Sequence, residues 1–107
     1  MNKAPYYAVI FTSQLSSETD DYEIIADEMV KLAARQPGFI DVESVRNETG
    51  FGITISYWES LEAINQWKEH AAHTVARKRG REQWYEQFHT RICLVEREYQ
   101  AIKEKKS

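Results

Sequence analysis

The sequence predicts an α+β fold in which helices cover one face of a four-stranded antiparallel sheet. Four segments carry the β-branched and aromatic residues and the two-residue period that are typical of strands. Two other segments repeat apolar residues at the three- and four-residue spacing of a helix. The order strand, helix, strand, strand, helix, strand is that of a split βαβ, or ferredoxin-like, sandwich, in which two right-handed crossovers place both helices on the same side.

Size and composition indicate a single globular domain. The 107 residues, of which 42% are hydrophobic and 29% charged, suffice for one core and exclude a globally disordered chain. We place the domain over residues 1–107, with its core at about 6–99 and a solvated tail at 100–107.

Charge and hydropathy argue against two classes of partner. The net charge of -3 gives no general attraction to a phosphate backbone, so we expect no nucleic-acid partner. No apolar segment approaches the roughly 20 residues of a membrane span, and the N-terminus lacks the layout of a signal peptide. We therefore expect a cytoplasmic protein with no membrane partner.

The single cysteine, Cys93, excludes an intrachain disulfide and is interpreted as an inert thiol in the core.

The first half of the chain predicts a strand, a helix and a hairpin. The helix runs from about Asp21 to Arg35 and stops at Pro37 and Gly38, which cannot continue it. A second strand at residues 39–47 precedes the polar turn Asn47 to Gly50, so it should pair with the following strand as a hairpin. The first strand, at residues 5–15, has two apolar faces, one with Tyr7, Val9 and Phe11 and the other with Tyr6, Ala8 and Ile10.

The centre of the sequence is a strand that passes directly into a helix. Ser60 is the predicted N-cap of a helix that continues to Arg79. After Gly80 interrupts the pattern, we expect a short helix at 81–88 and a last strand at 89–99. The apolar stripe of the central helix is Leu61, Ile64, Lys68, Ala71, Ala72 and Val75. The faces of its strand bear Phe51, Ile53, Ile55 and Tyr57 on one side and Gly52, Thr54, Ser56 and Trp58 on the other.

The proposed sheet has one face that no helix covers. Apolar and aromatic residues from every strand fall on that face, and a monomer does not leave so much apolar surface in water. We therefore predict a homodimer that packs sheet on sheet.

Several short motifs resemble the antibiotic biosynthesis monooxygenase (ABM) superfamily over nearly the whole chain. The resemblance implies a dimeric α+β barrel. The superfamily includes cofactor-free quinone-forming oxygenases, haem-degrading oxygenases and many members of no established activity. The motifs are Pro37-Gly38-Phe39, Tyr57-Trp58-Glu59-Ser60, Ala63 with Trp67, and Gly80-Arg81 with Trp84-Tyr85.

Of the three residues that are typical of the haem-degrading branch, a tryptophan, a histidine and an asparagine, this chain resembles that branch in only the tryptophan. Trp67 matches the tryptophan of that branch, but the position of its iron-ligating histidine is occupied by Arg77. Its first-strand asparagine has no counterpart among residues 11–13. We therefore expect no dedicated cofactor, and a haem-binding or haem-degrading monooxygenase is the alternative.

The helix after Ser60 holds the candidate site. His70 and His73 have a spacing that suits metal ligands, but no further ligand is evident, so we expect no metal site. Either histidine is a candidate general base, and Arg77 is a candidate partner for an anion. The residues assigned to substrate binding are Trp67, Tyr57, Trp84 and Arg81.

Three functions are compatible with these residues. The first is a monooxygenase that binds a phenol- or quinol-type small aromatic molecule between sheet and helices, removes its proton and lets the anion react with oxygen. The second is the haem protein described above. The third is a non-catalytic dimer that binds a small apolar metabolite. Each candidate residue also has a purely structural interpretation. The histidines would be solvated or lie at an interface, the tryptophans would pack in the core, and the basic residues would form a solvated helix end.

Overall fold

The computed structural model describes residues 4–103 and confirms the predicted four-stranded antiparallel sheet with helices on one face. The strands lie in the order β2-β3-β1-β4. No helix within residues 4–103 is long and apolar enough to cross a membrane. The elements are β1 (Tyr6–Leu15), α1 (Tyr22–Ala33), β2 (Phe39–Arg46), β3 (Phe51–Trp58), α2 (Leu61–Glu69), α3 (Ala71–Arg79), a π-helical turn (Gly80–Trp84) and β4 (Tyr85–Val95).

The two faces of β1 divide as predicted. Tyr7 and Val9 pack against the buried core, which consists of Ala33, Trp58, Ala63, Ile64 and Trp67. Because side chains alternate along a strand, Ala8 and Ile10 point to the opposite face. We call this opposite face, which no helix of the described chain covers, the open face.

The helices cover the more polar side of β3. Trp58 belongs to the core, so Thr54 and Ser56 also point toward the helices, while Ile53, Ile55 and Tyr57 lie on the open face. Cys93 pairs with Ala8 across β1 and β4 and is half-exposed on the same open face. The prediction that Cys93 lies in the core was therefore wrong for the single chain.

The two-residue alternation of β2 is interrupted at its first residues. Phe39 pairs with Trp58 and Asp41 with Tyr57, so the register shifts between them. This irregularity places the Phe39 ring edge-on against Trp58, with centroids 5.5 Å apart, while Asp41 lies beside Tyr57 on the open face. Phe39 and Asp41, although two residues apart, are thus on opposite faces.

The predicted continuous helix at 60–79 is two helices that meet at His70. Ser60 caps α2 as expected, since its hydroxyl accepts a hydrogen bond from the Ala63 amide at 3.0 Å. His70 has φ −59° and ψ 132°, an extended conformation that ends α2 before α3 begins. The break changes the phase of the helix, and Val75 of the predicted stripe is 63% exposed while Ala76 is buried. Leu61, 48% exposed, is also outside the core.

The segment at 81–88 is not a helix. A π-helical turn ends at Trp84, and β4 begins at Tyr85, four residues before the predicted start of the last strand. Its early residues pair with β1, Gln87 with Gln14 and Phe88 with Ser13. This pairing outweighs the local helical pattern.

Gly38 is needed where α2 approaches the start of β2. It has φ +84°, and a Cβ at this position would lie 2.6 Å from the Ala63 Cβ. Its carbonyl also accepts a hydrogen bond from the Glu59 amide at 2.8 Å, so the backbone here cannot move away freely.

We expect Gly38→Ala to lower the free energy of unfolding by about 2 to 4 kcal/mol, because it adds a steric clash to a strained φ. Urea denaturation followed by circular dichroism measures the change. The double variant G38A/A63G separates the causes, since it removes the methyl group that the new Cβ would strike and leaves the positive φ. An unchanged midpoint in Gly38→Ala would contradict the close approach.

Candidate active site

The junction of α2 and α3 is held by side chains of α3 that bind the last carbonyls of α2. The His73 Nδ1 lies 3.0 Å from the Trp67 carbonyl oxygen. Thr74 Oγ1 and Arg77 Nη1 each donate to the Lys68 carbonyl at 3.3 Å. The final carbonyls of a helix lack partners within the helix, and these groups satisfy two of them. His73 and Arg77 are therefore fixed relative to the end of α2.

Three aromatic rings form a column from the core to this junction. The His73 ring stacks on Trp67 with centroids 4.3 Å apart and an interplanar angle of 8°. The Trp67 ring in turn stacks on Trp58 at 6.4 Å and 24°. Trp58 is 1% and Trp67 9% exposed, so the column places a half-buried imidazole on a fixed hydrophobic support.

The hydrogen bonds of the two histidines fix opposite tautomers. A carbonyl oxygen only accepts, so the His73 Nδ1 carries a proton, and the Nε2 of the neutral ring holds the lone pair. The His70 Nδ1 accepts from the Ala72 amide at 3.2 Å, which caps α3 and leaves the proton of its neutral ring on Nε2. The His73 Nε2 is thus a proton acceptor and the His70 Nε2 a proton donor.

Burial lowers the pKa of His73 below its ordinary value of about 6.5. The hydrogen bond to the Trp67 carbonyl raises this pKa, whereas the nearby charge of Arg77 and the ring of His70 lower it further. Within the described chain, every buried side-chain nitrogen and oxygen has a hydrogen-bond partner. The His73 Nε2 has no such partner, so it is not among the buried atoms and is accessible to solvent. The neutral form of His73, with an accessible lone pair, therefore prevails at neutral pH.

Trp84 lies in a second aromatic group. It is 3% exposed and packs edge-on against Tyr22 with centroids 5.4 Å apart, and its Nε1 donates to the Asp20 carbonyl at 3.0 Å. The Arg79 guanidinium lies over the Trp84 ring at 4.9 Å and pairs with Asp21 at 3.8 Å. Trp84 and Arg79 thus hold the loop before α1, and Arg81 is exposed on the π-helical turn.

Tyr57 is on the other side of the sheet from Trp67. Its ring meets Tyr6 edge-on at 5.9 Å. Burial, followed by its hydrogen bond to Glu43, raises the pKa of Tyr57. The structure therefore brings together His70, His73, Arg77 and Trp67, places Trp84 and Arg81 elsewhere on the helix side, and separates Tyr57 from all of them.

Sequence reasoning did not assign any role to the polar side chains under the helices. The Trp58 Nε1 donates to the Ser56 hydroxyl at 2.9 Å, and the hydroxyls of Ser44 and Thr54 lie 2.8 Å apart. The alternation of β3 was the available signal, because it already placed Thr54 and Ser56 on the face of Trp58.

Arg46 is a second overlooked group. Its guanidinium donates to the Ser13 hydroxyl at 2.9 Å, the Tyr22 hydroxyl at 3.0 Å and the Gly50 carbonyl at 2.6 Å. Gly52 gives it room, since a Cβ there would lie 2.5 Å from the Arg46 Cζ. The sequence contains no local signal for this contact, because the partners come from β1, α1 and the hairpin.

Among residues 4–103, no group of three or more His, Cys, Asp or Glu side chains is arranged to hold a metal ion.

Residues 5–79 match the family described as Antibiotic biosynthesis monooxygenase. The chain belongs to this family. It is 51% identical over 94 residues to "Uncharacterized protein YqjZ" of Bacillus subtilis, which covers 88% of this chain and 82% of that protein. The family assignment confirms the resemblance stated from the motifs.

Other relatives include proteins with oxygenase names. The chain is 31% identical over 94 residues to "Jasmonate monooxygenase ABM" of Pyricularia oryzae, covering 83% of this chain and 43% of that protein. A structure of the cofactor-independent oxygenase SnoaB from Streptomyces nogalater has a TM-score of 0.74 at 14% identity, covering 94% of this chain and all of that one. A putative ABM-family protein from Nitrosomonas europaea also reaches 0.74, at 12% identity, covering 88% and 93%. These structural likenesses confirm the ferredoxin-like fold of the ABM family.

The pKa of His73 predicts how the stability of this ABM protein varies with pH. Because its folded pKa is below the unfolded value, its contribution to stability is fully present above about pH 6.5 and is lost as pH falls through the folded pKa. In His73→Asn the amide can still donate to Trp67 but does not titrate, so we expect a smaller loss of unfolding free energy between pH 7.5 and 5. Urea denaturation at both pH values measures it.

The matched control is His89→Asn, at an exposed position on the open face of β4. It should keep the wild-type dependence on pH. An equal loss in wild type and His73→Asn would show that burial of His73 does not govern this range.

Proposed function

We propose that this chain is a monooxygenase that needs no dedicated cofactor and acts on a phenol- or quinol-type small aromatic substrate. The observation that carries the proposal is the His73 imidazole, which is neutral, fixed in one tautomer and placed beside Arg77. The substrate would bind on the helix side of the sheet, next to the exposed part of the His73 ring.

His73 is the base of the proposed reaction. Its Nε2 holds the lone pair and reaches solvent, so it can accept the proton of a phenolic hydroxyl that approaches within hydrogen-bond distance, about 2.6 to 3.2 Å. The hydrogen bond from Nδ1 to the Trp67 carbonyl then helps to stabilise the imidazolium that forms. His70, with its Nε2 proton, is assigned a donor role to the substrate or to oxygen-derived groups.

Arg77 is the partner of the phenolate. Its charge acts on His73 already in the free protein. Within the described chain one terminal nitrogen binds the Lys68 carbonyl, so other donors of the guanidinium are left to bind an oxyanion. A cation beside the newly formed anion lowers the energy of the deprotonated substrate.

The substrate itself supplies the electrons in this scheme. The ring C–H carbon para to the phenolate oxygen becomes a carbonyl: one atom of O2 stays on that carbon, and the other leaves as water with the ring hydrogen and the phenolic proton that His73 had accepted. The reaction HO–Ar–H + O2 → O=Ar=O + H2O balances without a further reductant. The name of SnoaB as a cofactor-independent oxygenase, and of the Pyricularia oryzae relative as a monooxygenase, supports this class of reaction.

Fewer of the residues predicted from the sequence are assigned to substrate contact here. The Trp67 ring stacks on His73 and on Trp58, and we assign it the role of positioning His73. The hydroxyls of Ser56 and Thr54, on the same side of the sheet, are candidates to bind a second oxygen of a quinol. Trp84 is held by Tyr22 and Asp20, and we assign it no substrate contact.

We expect the purified protein to consume oxygen with anthrol- or quinol-type substrates, and His73→Asn to lower kcat/KM by about 100-fold or more, the usual contribution of a general base. The wild-type kcat/KM should rise with pH below about 6.5 and level off above it, since burial lowers the pKa of His73. An oxygen electrode and product spectra measure both.

His89→Asn again serves as the control and should keep wild-type activity. Full activity in His73→Asn, or no oxygen uptake with the whole substrate series, would exclude the proposal. A Soret band on titration with hemin, lost in His73→Asn, would favour the haem protein instead. Binding of the aromatic compounds with neither oxygen uptake nor a haem spectrum would favour a non-catalytic binder.

We also propose that the protein is a homodimer. On the open face, Val45 is 71% exposed and Phe51 is 43% exposed, and the same face includes Ile10, Ile53 and Ile55. An apolar sheet face of this kind is stable in water when a second copy covers it.

A further inference from the structure

The helices leave the last strand of the sheet partly uncovered on their own side. Cys93 of β4 lies on the open face, so the alternating residues Phe88, Thr90, Ile92 and Leu94 point to the helix side. Phe88 is 45%, Ile92 52% and Leu94 55% exposed. We call these four residues the β4 strip. Its apolar side chains are therefore about half uncovered within residues 4–103.

The β4 strip is long, narrow and uncharged. Phe88 and Leu94 are separated by a length of strand that corresponds to about 20 Å. Because β4 is an edge strand, the strip is one side chain wide. Thr90 is its polar member and presents a methyl group as well as a hydroxyl. The strip therefore offers apolar contact along a line and no partner for a charged group.

An aromatic cluster lies at one end of the strip. The centroid of the Phe11 ring is 5.8 Å from that of Phe88 and 5.3 Å from that of Tyr85, and the Tyr85 and Phe88 centroids are 6.2 Å apart. Tyr85 also meets the ring of Tyr22 on α1, at 5.9 Å. The cluster thus connects this end of the strip with the helices.

The other end of the strip lies in the row of the sheet that supports the proposed base. Leu94 pairs with Tyr7 of β1, and Tyr7 pairs with Trp58 of β3. The rings of Trp67 and His73 are stacked above Trp58. Neighbouring strands are about 4.8 Å apart, so Leu94 and Trp58 are separated by about 10 Å across the sheet. A substrate ring above Tyr7 would therefore lie between the His73 column and the strip.

We infer that the β4 strip binds a linear hydrocarbon chain of the substrate, and that the substrate is a phenol or quinol with such a chain as a ring substituent. The inference rests on the proposed function and narrows its substrate class. A carbon–carbon bond of about 1.5 Å advances an extended chain by about 1.3 Å, so the strip accommodates up to about 15 carbon atoms. Ile92 and Leu94 are the residues that determine this specificity, because they meet the part of the chain next to the ring.

A hydrocarbon chain fits the strip better than a protein partner does. Stable protein interfaces contain about 20 to 30 residues on each side, and the strip has four. A charged chain would find no opposite charge on the strip, whereas a hydrocarbon gains free energy from each CH2 group that it removes from water. The shared row of Leu94, Tyr7 and Trp58 then favours one molecule that carries both the reacting ring and the chain.

A series of meta-alkylphenols with ethyl, butyl, hexyl and octyl chains tests the inference. The meta position leaves the ring carbon para to the hydroxyl free to react. We expect the Kd of the wild-type protein, measured by calorimetry under nitrogen, to fall by about two- to fourfold for each added CH2 group, the usual effect of burying one. In air the chain should lower KM and leave kcat nearly unchanged, since its contacts are the same in the ground and transition states.

The double variant I92S/L94S should raise the Kd of the octyl compound by at least about tenfold and flatten the dependence on chain length. Ile24→Ser is the matched control, because Ile24 is 64% exposed on α1, away from the strip. Val45→Ser is a second control on the exposed apolar surface of the open face. Both should keep the wild-type dependence, and circular dichroism should show that all variants fold.

A Kd that ignores chain length would overturn the inference, and this is also the result expected if a second copy or residues 96–103 cover the strip. A dependence that I92S/L94S retains, or that Val45→Ser removes, would overturn it as well. Oxygen uptake without a dependence on chain length would leave the proposed monooxygenase standing and exclude the strip. Binding that depends on chain length without oxygen uptake would support the strip and exclude the monooxygenase.

Discussion

The unequal faces of β3 are the constraint on which the rest of this structure depends. Hydroxyl-bearing Thr54 and Ser56 point toward the helices, and Ile53 and Ile55 point away from them. A sheet covered on one side by helices normally turns its apolar face inward, because burial of that face is the main source of stability. Here the hydroxyls of β3 lie under the helices, where Ser56 accepts from the Trp58 Nε1 and Thr54 binds Ser44, and the isoleucines of β3 lie on the uncovered side. The polar side is thus satisfied within the chain, and the apolar side favours a second protein outside.

The junction of α2 and α3 provides the proposed chemistry with a rigid support. A helix that ends within a compact protein leaves carbonyl groups to be satisfied, and α3 returns side chains to two of them. The same hydrogen bond that caps Trp67 selects the tautomer of His73, and the same stacking that packs Trp67 on Trp58 limits the motion of the imidazole. Structural roles and the proposed catalytic role are therefore not alternatives for this histidine. The hydrogen bond that orients the ring also leaves its other nitrogen free to accept a proton.

The sequence was sufficient for the fold and for part of the candidate site. Alternation along β1 and β3 predicted which residues share a face, and Ser60 was recognisable as an N-cap, because both signals depend on neighbours in the chain. The break at His70 has no such signal: neither proline nor glycine marks it, and the imidazole that caps α3 becomes visible only in three dimensions. The early start of β4 depends on pairing with β1, a contact between residues about 70 positions apart.

For the same reason the sequence grouped residues that the structure separates. Tyr57 and Trp67 were both assigned to substrate binding, but the side chains of a strand alternate, so Tyr57 lies on the open face while its neighbour Trp58 packs on Trp67. The separation has a physical consequence. Ser56, on the proposed substrate side, is covalently flanked by Ile55 and Tyr57, which lie on the open face. A second copy that packs on Ile55 would hold β3 from the open face, and the hydroxyls on the other face of β3 would be held with it. In such an arrangement the interface and the site share one strand, so the order of the site depends on association even though no residue of the second copy needs to enter it.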